Sequence, residues 1–186
     1  YPTLLAERMQ NEKLKVTPLS SPRGSDIAVK CIAEEATRRT GTLDLSGLGL
    51  VAAPEELQNL PHLRVLVLGR GAYDPQNKQY AAETHACGKN DLRRGWEGLA
   101  ALAHLTELQC CGTEFSDLTL LARLPALVSL RCSNTKISDL QPLTQLTALA
   151  QLDCSRTAVS NLQPLSEMQA LTLVDCSGTA VSDLEP

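Results

Sequence analysis

The sequence predicts an α/β solenoid, a curved stack with short parallel strands on its concave face and 3-10 or irregular turns on its convex face. Four segments that start 22 residues apart share apolar residues at their first, fourth, eleventh and fourteenth places, with Cys at the sixth and Thr at the ninth. They start at Leu105, Leu127, Leu149 and Leu171. A fixed period in the twenties is typical of solenoids, in which one unit stacks on copies of itself.

Within each repeat, the pattern L-x-x-L-x-C alternates inward and outward residues, which is the period of a β-strand. Two earlier repeats begin at Thr40 and Leu63, so we expect six parallel strands. The returning half is too short for a long helix. In the return of the second of these four segments, SDLQPL at residues 138–143, Ser and Asp offer side-chain oxygens and Pro142 suits the first position of a helical turn.

The rhythm is interrupted once, between the second repeat and the third. The strand centre Leu108 follows Leu66 by 42 residues, about 20 more than one period, and we assign the surplus to an insertion at about residues 71–89. The pattern resumes near Asn90, and Trp96 then occupies a core place, so it is predicted to be buried. Insertions in repeat proteins form rim loops, often on the binding side.

The segment before the repeats is predicted to be helical. Residues 1–16 favour one helix, residues 17–24 a loop, and residues 26–39 a second helix that ends at Gly41. The apolar stripe of the second helix consists of Ile27, Ala28, Cys31 and Ile32. Because the first repeat of a solenoid leaves its core open, we expect residues 1–39 to form a cap and residues 40–186 to form the repeats.

Composition excludes several classes of function. The 186 residues carry a net charge of −4, which argues against a nucleic-acid-binding body. The sequence contains no run of 18 apolar residues, so no transmembrane helix is expected, and the first residues do not have the pattern of a secretory signal. The chain begins with Tyr and ends part-way through a repeat, so we expect a segment of a longer protein with an open edge at residues 174–176 that invites self-association.

The seven cysteines favour a reducing compartment. Those at the sixth places, Cys110, Cys132, Cys154 and Cys176, are predicted to form a column of free, buried thiols. Cys111, at an outward seventh place, is predicted to be the more exposed thiol. We expect no metal and no cofactor, since His85 and Cys87 are only two of the four ligands that a zinc site needs.

Over residues 40–186 these repeats resemble the leucine-rich repeat family, and their period and SDL-x-PL return resemble its internalin-type subclass. ATRRTGTLDLSGLGL at residues 36–50, followed by LxCSxTxVSDLxPL, is similar to repeat regions of bacterial Roco GTPases and of NACHT-type or other STAND NTPases. The resemblance implies a cytoplasmic sensor or scaffold joined to a nucleotide-binding switch. No G-x-x-x-x-G-K-[ST] loop is present, so nucleotide hydrolysis would belong to another domain. The resemblance also implies Asn at the ninth place, where these four repeats have Thr, whose hydroxyl can serve a smaller version of that role.

The outward residues of the strands are the candidate binding surface. On the predicted concave face the candidates are Glu107, Gln109, Arg131, Asn134, Gln151, Asp153, Arg156 and Asp175. In and beside the insertion they are Tyr73, Tyr80, Arg93 and Arg94. A competing interpretation is that opposite charges one repeat apart, such as Arg131 and Asp153, only neutralise each other.

The leading functional hypothesis is a non-catalytic protein-protein interaction module of a bacterial intracellular signalling protein. It would hold a protein partner or a neighbouring domain of the same protein, without nucleic acid or membrane. The alternative is the target-binding domain of a bacterial effector delivered into the host cytosol, with its enzyme domain elsewhere. An enzyme in its own right is disfavoured, because carboxylates on an open sheet lack the enclosing pocket that tunes a general acid.

Overall fold

The computed structural model describes residues 24–69, 73–74, 79–80 and 89–182. Helix α1 spans Gly24–Arg38 and precedes a parallel sheet of six strands in the order β1-β2-β5-β6-β7-β8. These strands are β1 Thr42–Asp44, β2 Val65–Val67, β5 Glu107–Gln109, β6 Ser129–Arg131, β7 Gln151–Asp153 and β8 Leu173–Asp175. Strands β3 Tyr73–Asp74 and β4 Gln79–Tyr80 form a separate antiparallel pair.

The six strands stack in a single register, one repeat per strand. Fourth-place residues align from Leu43 to Leu66, Leu108, Leu130, Leu152 and Val174. Each of these leucines is buried and is flanked by two outward residues, which is why each strand is only three residues long. The predicted parallel sheet of six strands is confirmed.

Short 3-10 turns form the returning half. They span Glu55–Asn59, Trp96–Ala101, Thr119–Arg123, Gln141–Gln145 and Gln163–Leu165. A side-chain oxygen starts several of them: Asp139 Oδ1 accepts from the Gln141 backbone N–H at 2.8 Å, and Asn161 Oδ1 accepts from that of Gln163 at 2.8 Å. The SDL and SNL motifs are therefore turn signals, and the predicted convex side of short 3-10 turns is confirmed.

The core runs through the repeats as one cluster of leucines and sixth-place cysteines. Cys110, Cys132 and Cys154 are fully buried, and Cys176 is half-buried in the last repeat. The Cys132 thiol donates to the Asp153 carbonyl at 3.2 Å. Burial raises the pKa of the Cys154 thiol to about 12 and raises the pKa of the Cys132 thiol well above its usual range. None of the six cysteines in the described ranges forms a disulfide, as predicted for a column of free thiols.

Helix α1 covers the first repeat. Ala28 and Ile32 are buried in the shared core, with Ile27 and Cys31 packed at its edge. The predicted helix at residues 26–39 is thus present at 24–38 as a cap, while the predicted helix at residues 1–16 and almost all of the loop lie outside the described residues. At its first residue, Gly24, a side chain would collide with the Leu48 carbonyl, so the helix needs glycine there to approach the repeat.

Asn90 fills the ninth place of the second repeat. Leu68 is the sixth-place residue of this repeat, and residues 69–89, 21 in number, separate it from Asn90. In the next repeat only two residues separate the sixth-place Cys110 from the ninth-place Thr113. The Asn90 carboxamide donates to the carbonyls of Leu68 and Leu45 at 2.7 Å each, and it accepts from the Leu50 N–H at 2.8 Å. The insertion thereby leaves the stack continuous.

Trp96 then returns the chain to the core. It is 7% exposed, its indole N–H donates to the Leu92 carbonyl at 2.9 Å, and its ring centroid lies 4.2 Å from that of Phe115. The predicted burial of Trp96 is confirmed. Leu92 has φ 48°, a left-handed conformation that is rare for a branched residue and that marks the point where the inserted segment rejoins the repeat.

Candidate interaction surface

Two columns of side chains cover the concave face. They come from the third and fifth places, which flank the buried fourth-place residue and therefore point to the opposite side of the sheet. The third-place column is Thr42, Val65, Glu107, Ser129, Gln151 and Leu173; the fifth-place column is Asp44, Val67, Gln109, Arg131, Asp153 and Asp175. Five of the predicted candidate residues thus fall together in the middle strands β5 to β7, and Asp175 extends the fifth-place column on β8.

Arg131 lies at the centre of this face and forms no close ion pair with any other residue that the structure describes. It is the register partner of Asp153, yet no salt bridge within 4.0 Å joins the two, and the salt bridges found among residues 24–69 and 89–182 lie elsewhere, at His62–Glu35 and Arg93–Asp91. Asp153 therefore does not neutralise the Arg131 guanidinium through a direct ion pair across the strands. A guanidinium that is half-exposed and unpaired can form a bidentate contact with a carboxylate of a partner.

The aspartates of the fifth column have a structural task. Asp153 Oδ1 accepts from the Ser155 N–H at 3.1 Å and from its hydroxyl at 2.7 Å. Asp175 Oδ1 accepts from the Ser177 N–H at 2.9 Å. These are Asx turns, in which a side-chain oxygen stabilises the backbone two residues later. Asp153 and Asp175 stabilise the turns that follow their strands, so they are poorer candidates for partner contacts than Arg131.

Glu107 and Gln109 form a second pair on the same face. The Gln109 carboxamide donates to Glu107 Oε1 at 2.7 Å along strand β5. Both side chains are partly exposed, and Gln151 on β7 is exposed. The middle of the concave face therefore presents a carboxylate, carboxamides and a guanidinium side by side, a mixed polar surface suited to hydrogen bonds with a protein.

The seventh-place side chains are buried except Ser177 in the last described repeat, which corrects the prediction that they point outward. Cys111, Ser133 and Ser155 are 2%, 3% and 9% exposed. The chain leaves the strand at the seventh place. The backbone carbonyl at this place accepts a hydrogen bond from the eighth-place N–H of the preceding repeat; for example, the Gly112 N–H donates to the Ser133 carbonyl at 2.8 Å. Side chains at the turn therefore pack beneath their neighbours.

Cys111 is consequently not the more exposed thiol, and that prediction is wrong. Residue 69 runs directly over its backbone, where only a glycine fits, since a Cβ at Gly69 would collide with the Cys111 amide. Burial raises the pKa of the Cys111 thiol, and this outweighs the lowering by a hydrogen bond from Ser133.

The eighth-place residues that the structure describes adopt left-handed backbone conformations. Gly47, Gly112 and Gly178 have φ of 69°, 70° and 68°, while Asn134 and Arg156 have 52° and 54°. Asn tolerates this region, whereas Arg is strained in it. Asn134 and Arg156 are exposed, so they remain candidates at the edge of the concave face, but the turn alone accounts for the asparagine.

The candidates in and beside the insertion lie apart from the sheet columns. Tyr73 and Tyr80 are register partners in the antiparallel pair β3–β4. Arg93 and Arg94 are exposed and belong to a segment that pairs with residues 50–53 of the first repeat, beyond the carboxyl ends of the strands. The structure therefore places these two arginines on the rim and not on the concave face.

In the described part of the chain, no cluster of three or more His, Cys, Asp or Glu side chains could hold a metal ion, and His85 and Cys87 lie outside that part. No helix within the same residues has the length and apolar character to cross a membrane.

The stacked strands and the short 3-10 returns give the chain the leucine-rich-repeat solenoid fold. Residues 125–167 match the family described as Leucine Rich repeats (2 copies). A comparison with curated proteins gives no match.

Solved structures give more particular likenesses. The chain is similar to internalin C2 from Listeria monocytogenes, with 29% identity and a TM-score of 0.58, over 73% of this chain and 51% of that one. It is also similar to another Listeria internalin, inlF, at 21% identity and TM-score 0.56, over 86% and 58%. A Shigella effector leucine-rich-repeat domain gives 18% identity and TM-score 0.58, over 90% and 63%. The last two likenesses show the fold alone, and the chain spans about half to three fifths of each of these three proteins.

Proposed function

We propose that this chain is the protein-binding sensor module of a larger bacterial intracellular signalling protein that also carries a GTPase or NTPase domain. It acts without catalysis and holds a protein partner, or a neighbouring domain of its own protein, on the concave face. The observation that carries the proposal is the unpaired Arg131 at the centre of a register-aligned polar face. The resemblance of residues 36–50 to Roco and STAND repeat regions supports the intracellular context.

The size of the face argues that a partner also contacts its rims. Six strands at about 4.8 Å spacing span roughly 25 Å, and a three-residue strand is about 10 Å long, which gives roughly 250 Å². A stable protein interface buries about 800 Å² on each side. We infer that the inserted segment with Tyr73 and Tyr80, and the rim arginines Arg93 and Arg94, extend the contact.

A matched pair of charge variants tests this surface. Arg131→Glu with Gln151→Lys changes the charge of the concave face, and Arg123→Glu with Gln145→Lys makes the same changes on exposed positions of the convex turns. We expect capture of a partner by the immobilised chain to fall about tenfold in the first variant only, since a buried charge pair contributes roughly 1.4 kcal/mol or more. Equal capture by both variants, together with unchanged capture after deletion of residues 73–88, would disprove the proposal.

The second candidate function is the host-target-binding domain of a secreted effector. The likeness to internalin C2, at 29% identity, favours it. The same variants separate the two functions when bacterial and host lysates are compared: a signalling module captures its concave-face-dependent partner from the bacterial lysate, and an effector captures it from the host lysate. The domain encoded next to the repeats gives an independent answer, either a GTPase or NTPase on one hand or a ligase-type enzyme on the other.

Self-association is a separate proposal for the last strand. Within the described residues β8 pairs only with β7, and Leu173 and Val174 are 60% and 38% exposed. An unpaired strand edge with apolar side chains favours pairing with another chain. We expect concentration-dependent dimers in light scattering and their loss in Leu173→Lys, whereas a monomer at all concentrations would contradict the proposal.

A further inference from the structure

A basic groove lies at the opposite rim, where the chain enters the first three strands of the sheet. It has a volume of about 460 Å³ and is lined by Arg39, Arg64, His62 and His104, with Gly41 among the backbone that forms its floor. The four basic side chains come from the ends of helix α1 and of the next two returning segments. This cluster contrasts with the net charge of −4 of the whole chain.

The floor of the groove is fixed by a buried carboxylate. Glu35 is 5% exposed. Its Oε1 accepts a hydrogen bond from the Gly41 N–H at 2.7 Å and lies 3.1 Å from His62 Nε2. Its Oε2 accepts from the Thr40 hydroxyl. Both oxygens of Glu35 are thus engaged below the groove. Among residues 24–69 and 89–182 no salt bridge engages Arg39 or Arg64, so their charges are available at the surface.

Both arginines are held in place by the fold. Arg64 has its carbonyl bound by the N–H groups of Thr106 and Glu107 at 2.8 and 2.9 Å, and its side-chain methylenes pass 3.8 Å from the position of a Cβ on Gly41. The stem of Arg64 therefore passes over Gly41 while its guanidinium is left at the surface.

Arg39 adopts a strained backbone for its residue type. It follows the last residue of α1 with φ 52°, and its N–H donates to the Glu35 carbonyl at 2.8 Å. A left-handed residue directly after a helix is usually glycine. Arginine at this position places a guanidinium at the mouth of the groove, where glycine would leave none.

We propose that this groove binds an acidic segment of a protein partner, with carboxylates paired to Arg39 and Arg64. The basic side chains lie before three consecutive strands, β1, β2 and β5, and so extend over about 10 Å of rim at the spacing of parallel strands, which suits a run of carboxylates better than one compact anion. The groove opens beside the first strands of the sheet, so it is a second contact for a partner held on the concave face. To that extent the inference rests on the proposed function.

Direct binding of a defined peptide tests the groove. The probe is a fluorescein-labelled peptide of eight glutamates, measured by anisotropy at low salt, with an eight-glutamine peptide as its neutral control. We expect saturable binding that weakens with salt and becomes roughly tenfold weaker in the double variant Arg39→Gln, Arg64→Gln. The matched variant Arg123→Gln, Lys136→Gln removes the same charge from exposed positions elsewhere and should bind as the wild type does.

Three outcomes overturn the proposal: no saturable binding, equal loss in both double variants, or displacement of the peptide by equimolar inorganic phosphate, which would make the groove a site for small anions. Arg39→Gly separates binding from folding. Glycine relieves the left-handed strain, so we expect Tm to rise by about 2–4 °C while peptide binding weakens. A more stable variant with unchanged binding would also overturn it.

The peptide assay is independent of the concave-face variants. Arg131→Glu with Gln151→Lys should leave binding of the glutamate peptide unchanged, because those residues lie on the strand face and not at the groove. A negative result in the peptide assay therefore does not contradict the concave-face proposal. A negative result with the concave-face variants likewise does not contradict peptide binding at the groove.

Discussion

Replacement of Asn90 by alanine should be one of the most damaging single polar substitutions in the repeats. The side chain is 3% exposed and makes three hydrogen bonds, to Leu45, Leu50 and Leu68, at 2.7 or 2.8 Å. Without it, two carbonyls and one N–H are left buried without partners. At about 1–1.5 kcal/mol for each lost bond, the loss is roughly 3–5 kcal/mol, a large part of a typical stability of about 5–15 kcal/mol.

The matched control is Thr113→Val. Thr113 occupies the same place one repeat later and is 2% exposed, but its hydroxyl makes one short hydrogen bond, to the Cys110 carbonyl at 2.7 Å. The expected loss is about 1 kcal/mol. Asn90→Thr should fall between the two, because a hydroxyl reaches one of the three groups that the carboxamide serves.

Urea unfolding followed by far-UV circular dichroism gives the comparison. With a slope of about 2 kcal/mol/M, Asn90→Ala should lower the midpoint by about 2 M and Thr113→Val by about 0.5 M. If the two variants have the same midpoint, Asn90 does not join the first two repeats across the insertion, and the reasoning fails.

Three further predictions concern strain, protonation and burial. Arg156→Gly should raise stability by up to about 1 kcal/mol because it relieves a left-handed residue, whereas Arg123→Gly in a 3-10 turn should lower it by a similar amount; thermal unfolding compares them. Burial raises the pKa of Glu35 but its hydrogen bonds lower it by more, so its pKa lies below the ordinary value for a glutamate. Its contribution to stability is present above that ordinary value and is lost as pH falls through the folded value. The stability difference between wild type and Glu35→Gln should accordingly vanish in acid, and a difference that persists at all pH values would contradict this. Cys111 and Cys132 should resist iodoacetamide in the native protein and react in urea, as read by peptide mass spectrometry; rapid native labelling would refute their burial.

Periodicity was sufficient for the predictions about the stack. The fourth-place leucines, the six strands, the 3-10 returns and the buried Trp96 all follow from apolar spacing, because a one-residue slip would move every leucine to the solvent face. The cap at residues 24–38 was predicted within two residues from its apolar stripe. These features depend on burial of many side chains together, so no single residue decides them.

The turns could not be predicted in the same way. Alternation places Cys111 outward, but the chain leaves the strand at that residue, and its burial depends on Gly69 of the neighbouring repeat. The roles of Asp153 and Asp175 as turn acceptors depend on side-chain rotamers, although the recurring D-x-S spacing was a signal for them. The structural role of Asn90 was not predicted, because the insertion displaces this residue from the 22-residue period, even though the family resemblance implies Asn at the ninth place.

The basic groove was missed for a related reason. Arg39, His62, Arg64 and His104 precede three different strands and are scattered over 66 residues of sequence, 39–104. Only the stack brings them to one rim, and nothing in the period marks them, since later repeats have alanine at the places of His62 and His104.

Site-specific photo-crosslinking tests most directly whether the concave face is where a partner binds. A benzophenone amino acid at Gln151, exposed on the concave face, is compared with one at Gln145, exposed on the convex turn of the same solenoid. The account predicts a discrete protein adduct from position 151 that disappears in Arg131→Glu, and none from position 145. An adduct from position 145 alone, or of equal yield at both positions, would contradict it.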